Sequence, residues 1–447
     1  MNFTRSLLVP VAVLLFAGCS DCHLIKDKNY RTEVENAFLE RKETAKNRER
    51  QLFNIFEEDL SLRESEAIKF LFAYMPLNDL ADYDGDFFLD NVRKALMAKD
   101  RSPWGRSVPD DIFLHYVLPV RVNNENLDSF RIKYYDELTV RLKGINDIDK
   151  AALEINHWCH EKVTYQPSDM RTSSPIYTIL SARGRCGEES TLTVAALRTA
   201  GIPARQVYTP RWAHTDDNHA WVEVWINGTW HYLGACEPEP VLDRGWFTEP
   251  ARRAMLIHSK SFGAWYGGDE NYIKRHDLYT EINNLSNYAP TKRIYVKVTD
   301  QHGNPASDAK VEYKLYNYAE FYPLASVPAD ASGISSFETG LGDLLVWAHK
   351  DNHFDFDKIS VSETDTIELR LHRGVGKNTV FEYDMVAPFE PSPYESISGV
   401  LVEENNRRLD DENKIRTAYI DTWIKAADSE NFAREISCNS DSVRDIL

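Results

Sequence analysis

Cysteine is scarce in this chain, and basic charge is outweighed by acid. The six cysteines in 447 residues, at positions 19, 22, 159, 186, 236 and 438, show no paired spacing and no zinc-ligand pattern. That argues against a disulfide framework and against a structural metal. Lys and Arg together number 52 against 70 Asp and Glu, for a formal net charge of −18. Phosphate binding needs clustered cations, so nucleic acid is not an expected partner. Long apolar runs are also lacking. Past residue 19 no segment approaches the roughly 20 residues that a membrane-spanning helix requires. The length is enough for two to four domains.

The one short apolar run lies at the start. Arg5 precedes Leu7 to Ala17, and Gly18-Cys19 follow. A basic residue before a brief hydrophobic stretch reads as an export signal over residues 1–19. Leu15-Phe16-Ala17-Gly18-Cys19 resembles a lipobox. The resemblance implies lipidation at Cys19 and a lipid-anchored protein of the bacterial cell envelope, in the periplasm or on the outer-membrane surface.

Residues 20–142 read as helical. Apolar residues recur at one-face spacing from Glu33 to Leu52 and from Ile55 to Met75, and Pro76 ends the pattern. The segment from Trp104 to Val122 is rich in aromatics and is expected to pack on the domain that follows. Asp82, Asp84 and Asp86 alternate as in a calcium loop, but the glycine is misplaced and no glutamate closes the site. His157, Cys159 and His160 share a helix predicted for 149–162 that also has Ile155 and Trp158 to bury. A fourth ligand is lacking, so the trio reads as structural. No metal or cofactor is expected.

Chemistry is concentrated in residues 143–289. Cys186 follows Gly184-Arg185, and Leu192, Val194, Ala195, Ala196 and Leu197 then recur at helical spacing until Gly201 and Pro203 stop the helix. A cysteine at a helix N-terminus sits at the positive end of the macrodipole, which favours its thiolate. Residues 219–226 are β-rich, Asn227-Gly228 is a two-residue hairpin turn, and a returning strand is predicted over 229–236. His219 opens the first of these strands, so a nucleophile and a base come from two different elements.

Five pieces in order carry a family resemblance: Val163-Thr164-Tyr165, Gly184-Arg185-Cys186-Gly187-Glu188, Ala200 to Arg205, His219-Ala220-Trp221-Val222-Glu223-Val224 and Asn227-Gly228-Thr229-Trp230. They resemble the transglutaminase-like core shared by transglutaminases, bacterial cysteine proteases and peptide:N-glycanases. The resemblance implies a papain-like Cys-His-Asp triad on an α+β scaffold. The third member departs from the pattern, because the slot for the aspartate is Gly234. Folding the hairpin pairs Trp225 with Trp230, Trp221 with Gly234 and His219 with Cys236, which leaves Glu237 on the opposite face. A bulge at Gly234 would bring Glu237 towards His219. Peptide:N-glycanases also carry a Cys-Glu pair after their aspartate, which Cys236-Glu237 matches. Glu237 is therefore the expected orienting carboxylate. Asp243, or no carboxylate at all with help from Asn218 or a backbone carbonyl, are the alternatives.

Tryptophans at 212, 221, 225, 230, 246 and 265 and arginines at 183, 185, 205, 211 and 244 crowd this core. Most of the tryptophans are expected to be buried. The arginines hint at an anionic substrate group, though some should pair with Glu188, Glu189 or Glu223.

After Pro290 the pattern alternates with period two. Seven strands are predicted, at 293–299, 309–317, 320–326, 333–338, 343–349, 356–362 and 366–372, which read as a β-sandwich over 290–373. It resembles the transthyretin-like, carboxypeptidase-regulatory sandwiches. Short helices are predicted at 414–426 and 428–436 within a tail spanning 374–447. The expected fold is α+β multidomain: a helical N-terminal region, a transglutaminase-like α+β core, a β-sandwich and a short helical tail. The expected function is a cysteine-dependent amidohydrolase or acyltransferase, with a peptidase leading and a peptide, protein or glycopeptide as substrate. Deglycosylation or a degenerate binding module are the alternatives.

Overall fold

The computed structural model describes residues 23–167, 171–264, 270–374, 380–389 and 396–423. The leader with Cys19, the indole of Trp265 and the helix predicted at 428–436 lie outside the described residues. Among those residues no helix is long and apolar enough to cross a membrane. The architecture is α+β multidomain.

The predicted N-terminal helices form, with two breaks. The first runs Lys28–Thr44 and the chain then turns through short helical pieces to Glu57. A new helix starts at Leu62 because Ser61 caps it: its hydroxyl accepts from Glu64 N–H and Glu64 Oε2 accepts from Ser61 N–H at 2.9 Å. It ends at Tyr74, just before Pro76. The aromatic segment at 104–122 packs on the core as expected. Trp104 Nε1 donates to Ala200 O at 3.2 Å, and the Tyr116 ring meets Trp230 at 4.8 Å.

The core is a six-stranded antiparallel sheet. Its order is Thr229–Leu233, His219–Ile226, Ala204–Thr209, His258–Phe262, Tyr279–Asn283 and Tyr272–Arg275. Alternation along His219–Ile226 gives its two faces different neighbours. Val222, Val224 and Ile226 are buried with Leu192, Val194, Ala196 and Leu197 of the helix Cys186–Thr199 and with Ile155 and Trp158 of Ile148–Lys162. Trp221, on the other face, joins Trp212, Tyr232 and Phe247 in a second cluster. The sheet thus carries the cysteine helix on one side and an aromatic core on the other.

All seven predicted strands of the sandwich are present, in a five-stranded and a three-stranded sheet around Ile294, Val296, Tyr313, Phe337 and Val346. The short strand Arg373–Gly374 completes the larger sheet. The described part of the tail carries a helix, Gly399–Ile420, beginning fifteen positions before the predicted Lys414. It packs on Ile148–Lys162.

Candidate active site

Cys186 is the first residue of its helix, half-buried. Glu188 caps that helix by accepting from Arg185 N–H and from the Arg185 guanidinium, both at 2.8 Å. Gln206, from the neighbouring strand, donates to Gly187 O at 3.2 Å and to Ser190 Oγ at 2.7 Å. The first turn is therefore pinned from two sides. Glu188 and Arg185 are committed to each other.

The strand edge explains where the thiol rests. Trp225 N–H points to Pro203 O, on the side of Ala204–Thr209. Alternation sends Ala220 N–H to the opposite edge. The returning strand leaves that edge open, because it ends at Leu233, opposite Val222. The Cys186 sulfur takes the vacant place, facing the N–H groups of Ala220 and Gly187. Burial pushes its thiol upward, these N–H groups and Arg185 oppose that shift, and Glu189 adds to it. Tyr165 and Tyr208 both lie close enough to feel the Cys186 charge.

His219 precedes Ala220 and turns to the aromatic face. Its ring lies 5.5 Å from Trp221, 5.0 Å from Phe247 and 4.6 Å from Trp246. Nε2 is buried without a hydrogen-bond partner, and burial alone lowers the imidazole to about 3. At neutral pH it is an uncharged proton acceptor. No hydrogen bond joins Cys186 Sγ to His219 in this structure. The two are linked through the strand: the thiol meets the N–H of the residue that follows the histidine.

The pairing beyond Leu233 differs from the predicted register. Trp225 faces Trp230 as expected, but the Trp221–Gly234 and His219–Cys236 pairs do not form. Leu233 instead bridges Arg244, and Gly234 bridges Glu237 across a tight turn in which Cys236 takes φ +55°. The turn replaces the expected bulge. A Cβ at 234 would come within 3.0 Å of Glu237 O, 3.2 Å of its Cβ and 3.4 Å of its Oε2. The Glu237 side chain thus lies over the position where an aspartate at 234 would begin. Its carboxylate accepts from Trp246 Nε1 at 3.1 Å, and Trp246 covers His219 while remaining 58% exposed. Burial raises the Glu237 carboxyl, against the pull of the Trp246 hydrogen bond.

Asp243 is engaged elsewhere, accepting from Tyr232 N–H at 2.9 Å and lying 2.7 Å from His231 Nδ1. Asn218 N–H donates to Asp217. Trp212 and Trp221 are fully buried, as expected of most of these tryptophans, whereas Trp246 is exposed. Arg205 is buried between Glu223 and Glu270, at 2.7 Å from each, and stacks 3.7 Å from the Trp230 ring centroid. It belongs to the core rather than to a cleft.

No described group of three or more His, Cys, Asp or Glu residues is placed to hold a metal. His157 and His160 face Glu412 of the tail helix, at 2.9 and 2.8 Å. A concavity of about 480 Å³ lies beside that helix and is lined by Glu161, Arg408, Glu412 and Ile415, none of them at the Cys186 site.

Residues 136–235 match the model of the transglutaminase-like superfamily. An uncharacterised protein of Mycobacterium leprae is 30% identical over 95 residues, 19% of this chain and 33% of that protein. The chain therefore spans about a third of the length of the curated relative it matches. A candidate cysteine protease from Cytophaga hutchinsonii is 21% identical, covers 34% of this chain and 58% of its own, and has a TM-score of 0.22. Red sea bream transglutaminase is 10% identical, with 60% and 58% covered and a TM-score of 0.23. Scores this low leave the assignment resting on the family match.

Proposed function

We propose, from the premise that residues 136–235 form a transglutaminase-like superfamily domain, that this protein is a cysteine-dependent amide hydrolase or acyltransferase. A peptide or isopeptide bond is its leading substrate. The observation that carries the reading is the Cys186 sulfur at a helix start, seated against the N–H of Ala220 beside His219. In the proposed reaction the Cys186 proton passes to the neutral His219 as sulfur attacks the amide carbonyl carbon. The developing oxyanion is met by the Cys186 N–H at the helix terminus. His219 then returns the proton to the departing amine, leaving a thioester that water hydrolyses or a second amine captures. Glu237 is proposed as the carboxylate whose charge acts on His219 across the Trp246 indole to which it is bonded.

Alkylation by iodoacetamide, followed cysteine by cysteine with mass spectrometry, tests the dyad without a known substrate. Cys186 should react well ahead of Cys159 and Cys236, which are 0% and 1% exposed, and His219→Ala should slow it at neutral pH. With burial raising the thiol, the rate in that variant should climb only at alkaline pH. A Cys186 rate equal to that of a model thiol and indifferent to His219 would point instead to a surface binding module. De-N-glycosylation is the second enzymatic reading, supported by the exposed Trp246 above the site, whose flat face suits a sugar. Cleavage of glycopeptides but not of peptides would select it.

The envelope location is proposed from the lipobox resemblance at Cys19. Cys19→Ser should move the protein from the membrane fraction to the soluble extract. Retention on the membrane would remove the lipid anchor.

A further inference from the structure

The loop that delivers His219 is held from outside its own domain. Residues 210–218 join Ala204–Thr209 to His219–Ile226, and within them Trp212 N–H donates to Asp217 O and Asp217 N–H to Thr215 O, both at 3.0 Å. Further ties come from the hairpin between the sandwich strands Lys310–Asn317 and Glu320–Pro328. Asn317, 3% exposed, donates through Nδ2 to Trp212 O at 2.9 Å and to Thr215 O at 2.7 Å. Tyr318 N–H donates to Asp216 Oδ1 at 2.8 Å. Arg211 stacks 4.3 Å from the Tyr322 ring centroid, and Ala213 packs into the sandwich core.

The hairpin is shaped for this contact. Tyr318 and Ala319 both take positive φ, +50° and +55°. Two-residue turns that match strand twist require this conformation, and residues other than Gly, Asn and Asp adopt it at a cost. A turn held in that form by a bond from Tyr318 to the opposite domain is over-determined by its surroundings.

The constraint reaches the histidine through stacked rings. Trp212 lies 6.4 Å from Trp221 with planes 4° apart, and Trp221 lies 5.5 Å from His219 with planes 23° apart. Fixing the Trp212 carbonyl fixes the first ring of that stack. Interiors pack densely, so a displacement at one end cannot be absorbed between rings without opening a void.

We infer that Asn317 is a positioning residue for His219, by which the β-sandwich holds the base of the active site in place. The inference rests on the reading of Cys186 and His219 as a working pair. It requires that the sandwich act through the loop rather than touch the substrate.

The test measures Cys186 alkylation by iodoacetamide between pH 6 and 10 in the full chain. It compares wild type, His219→Ala, Asn317→Ala and the double variant. Asn317→Ala is expected to lower the neutral-pH rate roughly tenfold or more, as a small misplacement of a reacting group does. Its pH profile should move towards that of His219→Ala. In the double variant the asparagine change should add nothing to the histidine change. An equal loss with and without His219, or a wild-type rate and profile in folded Asn317→Ala, would overturn the inference. If His219→Ala leaves Cys186 unaffected, the dyad itself falls and takes this role with it. Should Asn317→Ala fail to fold, Asp216→Ala removes a tie made by an exposed side chain. It is expected to give a smaller loss, again absent without His219; a wild-type rate would overturn the inference.

Discussion

At the scale of single residues, Gly234 and Glu237 have to be considered together. A side chain at 234 would collide with the Glu237 backbone oxygen at 3.0 Å and crowd its carboxylate. Gly234→Asp is therefore expected to destabilise the fold by roughly 1–3 kcal/mol, the cost of overpacking a tight site. Urea unfolding would check it, and an unchanged midpoint would mean that the turn yields. Glu237→Gln keeps an oxygen that can accept from Trp246 but removes the charge. It should leave stability unchanged and slow turnover by roughly two orders of magnitude less than Cys186→Ala, because an orienting group contributes less than a nucleophile. Equal losses from the two changes would show Glu237 in direct contact with the reacting atoms.

At the scale of elements, the tail helix Gly399–Ile420 is anchored by polar residues. Its buried positions are Asn405, Glu412 and Arg416. Asn405 Nδ2 donates to Pro238 O at 2.9 Å, and Arg416 donates to the carbonyls of His160 and Val163. Glu412 lies between His157 and His160, and despite the upward push of burial its bonds to them lower its carboxyl from the ordinary 4.5 to about 2. A depressed carboxyl stabilises the fold fully above its unfolded value, and that contribution is lost as pH falls from about 4.5 towards 2. Thermal unfolding across that window should show a steep acid limb that Glu412→Gln flattens. Glu412→Ala should cost about 2–3 kcal/mol at neutral pH by leaving the buried His157 and the half-buried His160 facing a void. A flat acid limb in the wild type would mean the helix is held by its other anchors.

At the scale of the molecule, the core and the sandwich share an interior. Met255 and Leu256, from the core domain, are fully buried inside the sandwich cluster. Thr339 Oγ1 donates to Met255 O at 2.6 Å, Gly340 N–H to the same oxygen at 3.3 Å, and Asn283 Nδ2 to Glu338 O at 2.7 Å. The backbones approach so closely that a Cβ on Gly340 would lie 2.2 Å from Ala254 O. Gly340→Ala must push the two apart and should destabilise the protein by roughly 1–3 kcal/mol or more. Calorimetry should show one transition that shifts as a whole. A separate, earlier melting of the sandwich in the wild type would contradict a shared core.

The sequence by itself determined what depends on local spacing. The period of 3.6 after Cys186, the Gly201 and Pro203 that stop it, the Asn227-Gly228 turn and the period of two after Pro290 each act within a few residues. The helix at Cys186, the hairpin and all seven sandwich strands follow from them. The tail helix was half legible, because its buried face is Asn405, Glu412 and Arg416 and shows no apolar period. Only the tertiary structure decided what depends on partners distant in sequence. The returning strand ends at Leu233 because Arg244 and Glu237 compete for its backbone, and that early end opens the edge which seats the Cys186 sulfur. Asp243 was claimed by His231 and Tyr232, Trp246 was laid over His219, and Asn317 was brought to a loop about a hundred residues away in the chain. Such choices rest on which buried polar group finds which partner, and burial leaves each of them only the partners that the fold brings within reach.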